Sequence, residues 1–169
     1  MSRNDERKWV IRTELIDQLV RVVDIRLLDP LEILLEGDEA VESARTVVRQ
    51  RAERWASVML GPDDRAAAQM IIRVVSSLYP GDAPFAPPSE WWGTPLGQVV
   101  LRQIGHPSAR AVPYSVAGAM LGITRQGVHD LVARRKLERD PEGGVTVESV
   151  RARASHGWRH NEGNDHAQA

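Results

Sequence analysis

The sequence predicts a mainly α-helical protein with two folded parts and a small β-hairpin near its C-terminus. Apolar side chains recur at the 3.6-residue spacing of helices through the first 80 residues. A proline-rich stretch interrupts this pattern, and two short capped helices with a glycine-rich turn follow it. With 169 residues, the chain is long enough for one ordinary domain or two small ones.

The composition excludes several classes of function. Lys and Arg together number 22 and Asp and Glu 23, so the formal charge at pH 7 is -1, and any nucleic-acid interface must come from local charge. The chain has no Cys, which excludes disulfides, thiolate metal sites and a cysteine nucleophile. Because no run of about 18 apolar residues occurs and the first residues are polar, we expect no membrane span or signal peptide and predict a cytoplasmic protein. Arg far outnumbers Lys, a bias typical of GC-rich bacterial genomes.

Residues 1–80 are predicted to form a helical domain for oligomerisation or partner binding. The second helix is expected to follow Asp38 as its N-cap, and the third to follow Gly61 with Pro62 in its first position. The segment 9–28 carries more apolar surface than one intramolecular partner requires, which favours self-association. The main stripe of the first helix is Ile16, Leu19, Val20, Val23 and Leu27.

The density of Pro and Gly predicts a linker over residues 81–93. Three aromatic side chains within it are expected to pack on a domain surface, since they are costly to leave in water: Phe85, Trp91 and Trp92. A DNA-binding domain is predicted over residues 94–154, opening with a helix that Thr94 caps. Residues 155–169 are polar and are predicted to form a disordered tail.

Two short helices within this domain have the caps of a helix-turn-helix. Ser115 is predicted to cap the first helix and Thr124 the second. Gly122 is expected at positive φ in the turn, and Gly118 at a close helix approach. The predicted inward-facing set is Ala117, Leu121, Ile123, Val128 and Leu131.

The outer face of the second helix carries the chemistry of a DNA contact. Arg125, Gln126 and His129 are predicted to reach base edges, because Arg forms a bidentate pair with guanine and Gln with adenine. The basic residues that follow are expected to attract phosphate. The complete predicted DNA-binding set is Thr124, Arg125, Gln126, His129, Arg134, Arg135, Lys136 and Arg139.

A turn and a short strand pattern, "DPEGGVTV", follow the second helix and predict a β-hairpin. Together with "YSVAGAMLGITRQGVHDLVARRKL" and the next helix "ESVRARA", this stretch resembles the winged helix-turn-helix of the MerR and excisionase-like group over residues 114–154. The resemblance implies DNA binding through Arg125, Gln126 and His129, with the wing beside the DNA backbone. At the wing the chain has Gly144, Val145 and Thr146, where members of the group often place arginine and an aromatic residue.

The sequence therefore predicts a sequence-specific, double-stranded DNA-binding transcriptional regulator, in particular a repressor, that forms a dimer or higher homo-oligomer through residues 1–80. The alternatives are an antitoxin that binds a toxin and represses its own operon, a phage-type excision or architectural protein, and a protein-interaction adaptor. We predict no enzymatic activity, no metal site and no cofactor. Of the five histidines, only His156 and His160 share helix-neighbour spacing, and no carboxylate cluster accompanies them.

Overall fold

A computed structural model describes residues 3–37 and 39–159 of the chain. They belong to two compact units, Met1–Asp82 and Ala83–Ala169, here called unit 1 and unit 2. The described residues are mainly helical and contain one two-stranded antiparallel sheet, which confirms the predicted mainly α class. None of the described helices combines the length and the apolar character needed to cross a membrane.

Unit 1 is helical, and two of its long helices pack against the third. Helix α1 (Arg3–Val23) runs through a π-helical turn (Asp24–Leu28) into α2 (Asp29–Leu34), and α3 (Glu39–Met59) and α4 (Asp64–Leu78) follow. Helix α3 packs against both α1 and α4. Its buried side chains include small alanines, which allow its neighbours to approach closely.

The π-helical turn changes which residues of unit 1 face the core. The buried positions are spaced by four residues from Leu15 to Leu19 to Val23, and then by five to Leu28. The extra residue is the signature of a π-helical turn, which widens the helix just before Pro30, a residue that cannot donate a backbone hydrogen bond. The predicted stripe is therefore wrong at Leu27, which is exposed.

Arg45 joins α3 to the π-helical turn and α2. Its guanidinium contacts Asp24 at 3.2 Å and Asp29 at 2.9 Å, and it also pairs with Glu32 and Glu42. The hydrogen bonds to Asp29 and Glu32 raise the pKa of Arg45 above its ordinary value. This one cation therefore balances part of the acidic charge that four carboxylates bring to the place where the helix changes its pitch.

Two predicted helix starts in unit 1 have different outcomes. The helix that was predicted third is α4, and it begins at Asp64. The side chain of Asp63 caps it by accepting a hydrogen bond from the Ala66 N–H at 3.0 Å. Pro62 therefore precedes the helix, and its predicted place in the first turn is wrong. The predicted cap at Asp38 lies outside the described residues.

The proline-rich segment belongs mostly to unit 2, which begins at Ala83 instead of the predicted Thr94. Within this segment, Ser89–Gly93 is a 3₁₀ turn. Trp92 is fully buried, and the Phe85 ring meets the Trp91 ring edge-on at a centroid distance of 5.2 Å. The aromatic side chains thus pack into unit 2, as their cost in water predicted.

The helices of unit 2 are α5 (Pro95–Gln103), α6 (Tyr114–Leu121), α7 (Arg125–Ala133) and α8 (Val147–Arg159). The Thr94 hydroxyl accepts a hydrogen bond from the Gly97 N–H at 3.1 Å, which confirms the predicted cap of α5. Helix α8 includes residues 155–159, so the predicted disordered tail is wrong for these five residues. The remainder of that tail, residues 160–169, lies outside the described residues.

The sheet of unit 2 joins two segments that are distant in sequence. Strand β1 (Ala111–Val112) pairs antiparallel with β2 (Val145–Thr146). The predicted local hairpin is reduced to a single bridge between Arg139 and Val145. β2 pairs with β1 instead, and a strand of two residues has no sequence pattern that would predict this pairing.

Candidate nucleic-acid interface

The turn between α6 and α7 fixes the position of α7. Gly122 has a φ of +67°, as predicted, and ends α6. The Thr124 hydroxyl accepts a hydrogen bond from the Gly127 N–H at 3.0 Å, which confirms the predicted cap of α7. A Cβ atom on Gly118 would lie 2.7 Å from the Ile123 carbonyl oxygen, so the turn sits directly against α6.

The predicted cap of α6 is wrong. Helix α6 begins at Tyr114 with Pro113 in the N-cap position, and Ser115 lies inside the first turn. The ring of Pro113 fixes its φ, at -59°, and its ψ of 155° is extended, so the chain enters the helix two residues earlier than expected. This places an aromatic residue, Tyr114, at the first helical position.

An open cleft of about 650 Å³ lies beside α7, and we call it the α7 cleft. Arg125 and His129 line it from α7, and Arg139 lines it from the chain that follows α7. Among the residues that the structure describes, no carboxylate lines the cleft, and the ionisable side chains that do are two guanidinium cations, an imidazole and a phenol. The full lining is Pro113, Tyr114, Ser115, Arg125, His129, Val132, Ala133, Arg139 and Gly144.

Tyr114 and His129 form an aromatic pair within the α7 cleft. Their ring centroids are 4.5 Å apart and their planes are inclined at 72°. This edge-on contact holds the imidazole against the start of α6. Tyr114 had no predicted role, because the predicted helix began after Ser115.

Gln126 lies outside the α7 cleft and is paired along the helix. Its Nε2 donates a hydrogen bond to the Asp130 Oδ1 at 3.2 Å, one helical turn away. Both side chains are exposed. The Asp130 carboxylate therefore orients the amide of Gln126 on the solvent-facing side of α7.

The basic residues at the end of α7 are exposed and lie outside the lining of the α7 cleft. Arg135 has a φ of +57°, in the left-handed region that usually takes glycine at a helix end. The Lys136 N–H donates a hydrogen bond to the Leu131 carbonyl at 2.8 Å, which closes the last turn. Arg134 is the C-cap residue. Unlike Arg125, His129 and Arg139, these three cations do not line the α7 cleft.

The turn that follows Arg139, residues 140–144, is tied to the rest of unit 2. Asp140 is buried, and its Oδ2 lies 3.4 Å from Nη2 of Arg110. Its Oδ1 accepts a hydrogen bond from the Glu142 N–H at 2.9 Å. Gly144 packs on the backbone of Val112, leaving no room for a side chain. The turn therefore has a defined position beside the α7 cleft.

Comparison with protein-family models, curated proteins and solved structures finds no match. The chemistry of the α7 cleft itself is therefore what points to a ligand. The cleft supplies hydrogen-bond donors from guanidinium, imidazole, phenol and hydroxyl groups. Such donors pair with phosphate oxygens and with acceptor atoms on base edges. The open form of the cleft suits an extended polyanion better than an enclosed small molecule.

Proposed function

We propose that unit 2 is a winged helix-turn-helix that binds double-stranded DNA with sequence specificity. The observation that carries this proposal is the convergence of Arg125, His129 and Arg139 on one open cleft that no carboxylate lines within the described part of the chain. The capped and glycine-turned junction with α6 holds α7 rigid, as insertion into a major groove requires. The local basic excess of residues 124–139 supplies attraction that the whole chain, at -1, does not.

The predicted residues take different roles in this proposal. Arg125, Gln126 and His129 face base edges, because they lie in the first two turns of α7. Arg134, Arg135, Lys136 and Arg139 hold phosphate. Thr124 acts indirectly, since its hydroxyl caps α7 and leaves the helix N-terminus directed at the DNA.

The left-handed backbone of Arg135 supports a phosphate-binding role. A non-glycine residue in this region costs about 1–2 kcal/mol, and such strain is typical of positions where the side chain has a function. A glycine here would relieve the strain but remove the cation. The turn of residues 140–144 acts as the wing, and the buried Asp140 sets its position.

Unit 1 is proposed to join two copies of the chain. Six large apolar side chains are exposed within residues 25–35, and Ile33 and Leu34 are 78% and 77% exposed. Such a concentration marks an interaction surface, and a second copy would match the two-fold symmetry of bacterial operators. The six are Ile25, Leu27, Leu31, Ile33, Leu34 and Leu35. The resulting protein is a cytoplasmic transcriptional repressor.

Selection of bound sequences from a random duplex library by the full chain tests this function. We expect an enriched motif that consists of two half-sites. Their centres should lie about 10 bp apart, which is one helical turn of DNA, or a multiple of that distance. Arg125→Ala should degrade the motif at one position of each half-site. Arg54→Ala removes the same charge from an exposed position of α3 and should leave the motif intact.

Recovery of no motif would overturn the proposal. A motif in a single half-site, together with a monomeric chain in light scattering, would contradict self-association through unit 1. The exposed apolar residues 25–35 would then be available to a different protein, which is the arrangement of an antitoxin.

A further inference from the structure

A second open depression lies between α5, α6, α7 and α8, and it has a volume of about 500 Å³. We call it the α5–α8 groove. It shares no lining residue with the α7 cleft. Its lining residues are Gln98, Arg102, Met120, Leu121, Ile123, Leu131, Arg153, Ala154 and His156.

The floor of the α5–α8 groove is apolar and incompletely covered. The sequence predicted that Leu121, Ile123 and Leu131 face inward, but Leu121 and Leu131 are half-buried and Ile123 is 38% exposed. Met120 beneath them is buried. The packing of unit 2 thus leaves three branched aliphatic side chains available at one surface.

The rim of the groove is cationic. Arg102 and Arg153 line it, and among the residues that the structure describes no Asp or Glu does. Gln98 fixes Arg102 in place, because its Oε1 accepts a hydrogen bond from Nη2 of Arg102 at 3.1 Å. The Nε2 of Gln98 in turn donates to the carbonyls of Trp92 and Met120, at 2.7 and 3.0 Å. Partial burial lowers the pKa of Arg102, which means that its cation has lost some of its hydration.

We propose that the α5–α8 groove binds an acidic amphipathic helix of a partner protein. Aliphatic side chains at positions i, i+3, i+4 and i+7 of such a helix would cover the floor, as in other helix-in-groove complexes. Its carboxylates would pair with Arg102 and Arg153 at the rim. The pair with Arg102 would be the stronger one, because that guanidinium is already held by Gln98 and partly dehydrated.

The chain's own last residues do not have this chemistry. Residues 160–169 contain no Leu, Ile, Val, Met, Phe, Trp or Tyr, so they cannot supply the apolar side of the complex. Residues 160–169 are therefore not the proposed occupant. The groove and the α7 cleft have separate linings, so peptide binding and DNA binding are measured independently.

The test uses the full chain and a fluorescein-labelled peptide of about 15 residues with Leu at i, i+3, i+4 and i+7 and Glu elsewhere. A matched peptide with Lys in place of Glu is the control. In fluorescence anisotropy we expect saturable binding of the acidic peptide and binding at least about tenfold weaker for the Lys peptide. No saturation by the acidic peptide, or equal binding of both, would overturn the proposal.

Two variants locate the binding in the groove. Arg153→Glu changes an exposed cation of the rim, and Ile123→Ser changes an exposed residue of the floor. Each variant should bind the acidic peptide with an affinity lower by about tenfold or more. Arg54→Glu makes the same charge change on α3 and should leave peptide binding unchanged. Circular dichroism melts establish that each variant is folded. Full peptide affinity in folded Arg153→Glu and Ile123→Ser would place the binding elsewhere and overturn the proposal.

A second copy of the chain is the remaining occupant to distinguish. If Arg153→Glu lowers the oligomeric state in light scattering without any peptide, the groove is an interface between copies and the proposed partner is wrong. The affinity of Arg153→Glu for duplex DNA is measured separately from its affinity for the peptide. The groove proposal expects the variant to keep its DNA binding whether or not it binds the peptide.

Discussion

Gly144 lies directly against the backbone of Val112: a Cβ atom placed on Gly144 would be 2.3 Å from the Val112 carbonyl oxygen. This contact brings the turn of residues 140–144 onto β1, where Val145 pairs with Val112. The turn next to the α7 cleft is therefore positioned by a segment that precedes α6 in the chain.

The first prediction is that Gly144→Ala destabilises unit 2 more than Gly143→Ala. Both glycines have positive φ, at +80° and +116°, but a Cβ on Gly143 would meet no atom within 4 Å. The difference isolates the contact with Val112, and we expect about 1–3 kcal/mol from overpacking. Urea unfolding followed by circular dichroism measures it. Equal stability of the two variants would mean that β1 moves aside without cost.

The second prediction concerns the turn between α6 and α7. Gly122→Val should destabilise unit 2 by about 1–3 kcal/mol and weaken DNA binding, because a β-branched residue is strained at a φ of +67°. Gly122→Asn is the matched control, since Asn tolerates this region better. Gly118→Leu should be at least as disruptive, because its side chain would meet the Ile123 carbonyl. An unchanged melt and full DNA affinity for Gly122→Val would show that α7 does not depend on this turn.

The third prediction is a loss of stability of unit 2 on acidification through His106. The Nδ1 of His106 accepts hydrogen bonds from the Ser108 and Ala109 N–H groups, at 3.2 and 3.0 Å, so the neutral ring is the bonded form. Burial lowers the pKa of His106 below its ordinary 6.5. The unfolded chain therefore binds the proton more readily, and the contribution of His106 is complete above about pH 6.5 and is lost as the pH falls through the folded-state pKa.

Thermal melts between about pH 5 and pH 7 compare the wild type with His106→Asn, whose Oδ1 can accept the same bonds without titrating. We expect a smaller decrease of Tm on acidification in His106→Asn. Parallel decreases in the two proteins would assign the pH dependence to other groups.

The fourth prediction separates stability from DNA affinity at Arg135. Arg135→Gly relieves the left-handed backbone at a φ of +57° and should leave Tm unchanged or raise it. It should also weaken binding to matched and scrambled duplexes by the same factor, and reduce the salt dependence of binding by about one counterion. A lower Tm together with unchanged DNA affinity would contradict both parts.

The features that the sequence predicted well are local ones. The caps at Thr94 and Thr124 and the positive φ of Gly122 depend on hydrogen bonds and sterics within a few residues, so their patterns are sufficient. The pairing of Ala111 with Thr146 joins two-residue segments 35 positions apart, 146 minus 111, and such short strands have no pattern of their own.

The sequence did not predict two other features: which residues of the first helix face the core after the π-helical turn, and how much of the predicted inward-facing set is exposed. The π-helical turn shifts the buried line of the first helix to Leu28, and a helical period alone does not contain that insertion. Ile123 was predicted to be inward-facing, yet it is 38% exposed and lies on the floor of the α5–α8 groove. Of the predicted DNA-contacting side chains, Arg125, His129 and Arg139 share a cleft, and the sequence did not predict that Tyr114 joins them.

The most direct test of DNA reading by α7 measures the affinities of Gln126→Ala and Arg134→Ala for a selected duplex and for its scrambled version, by fluorescence anisotropy at fixed salt. Gln126 lies in the first turn of α7, and Arg134 lies at its end. We predict that Gln126→Ala loses about 1–3 kcal/mol of discrimination between the duplexes, whereas Arg134→Ala weakens both equally. Equal weakening of the two duplexes by Gln126→Ala, or no duplex binding by the wild-type chain, would contradict the proposed function of α7.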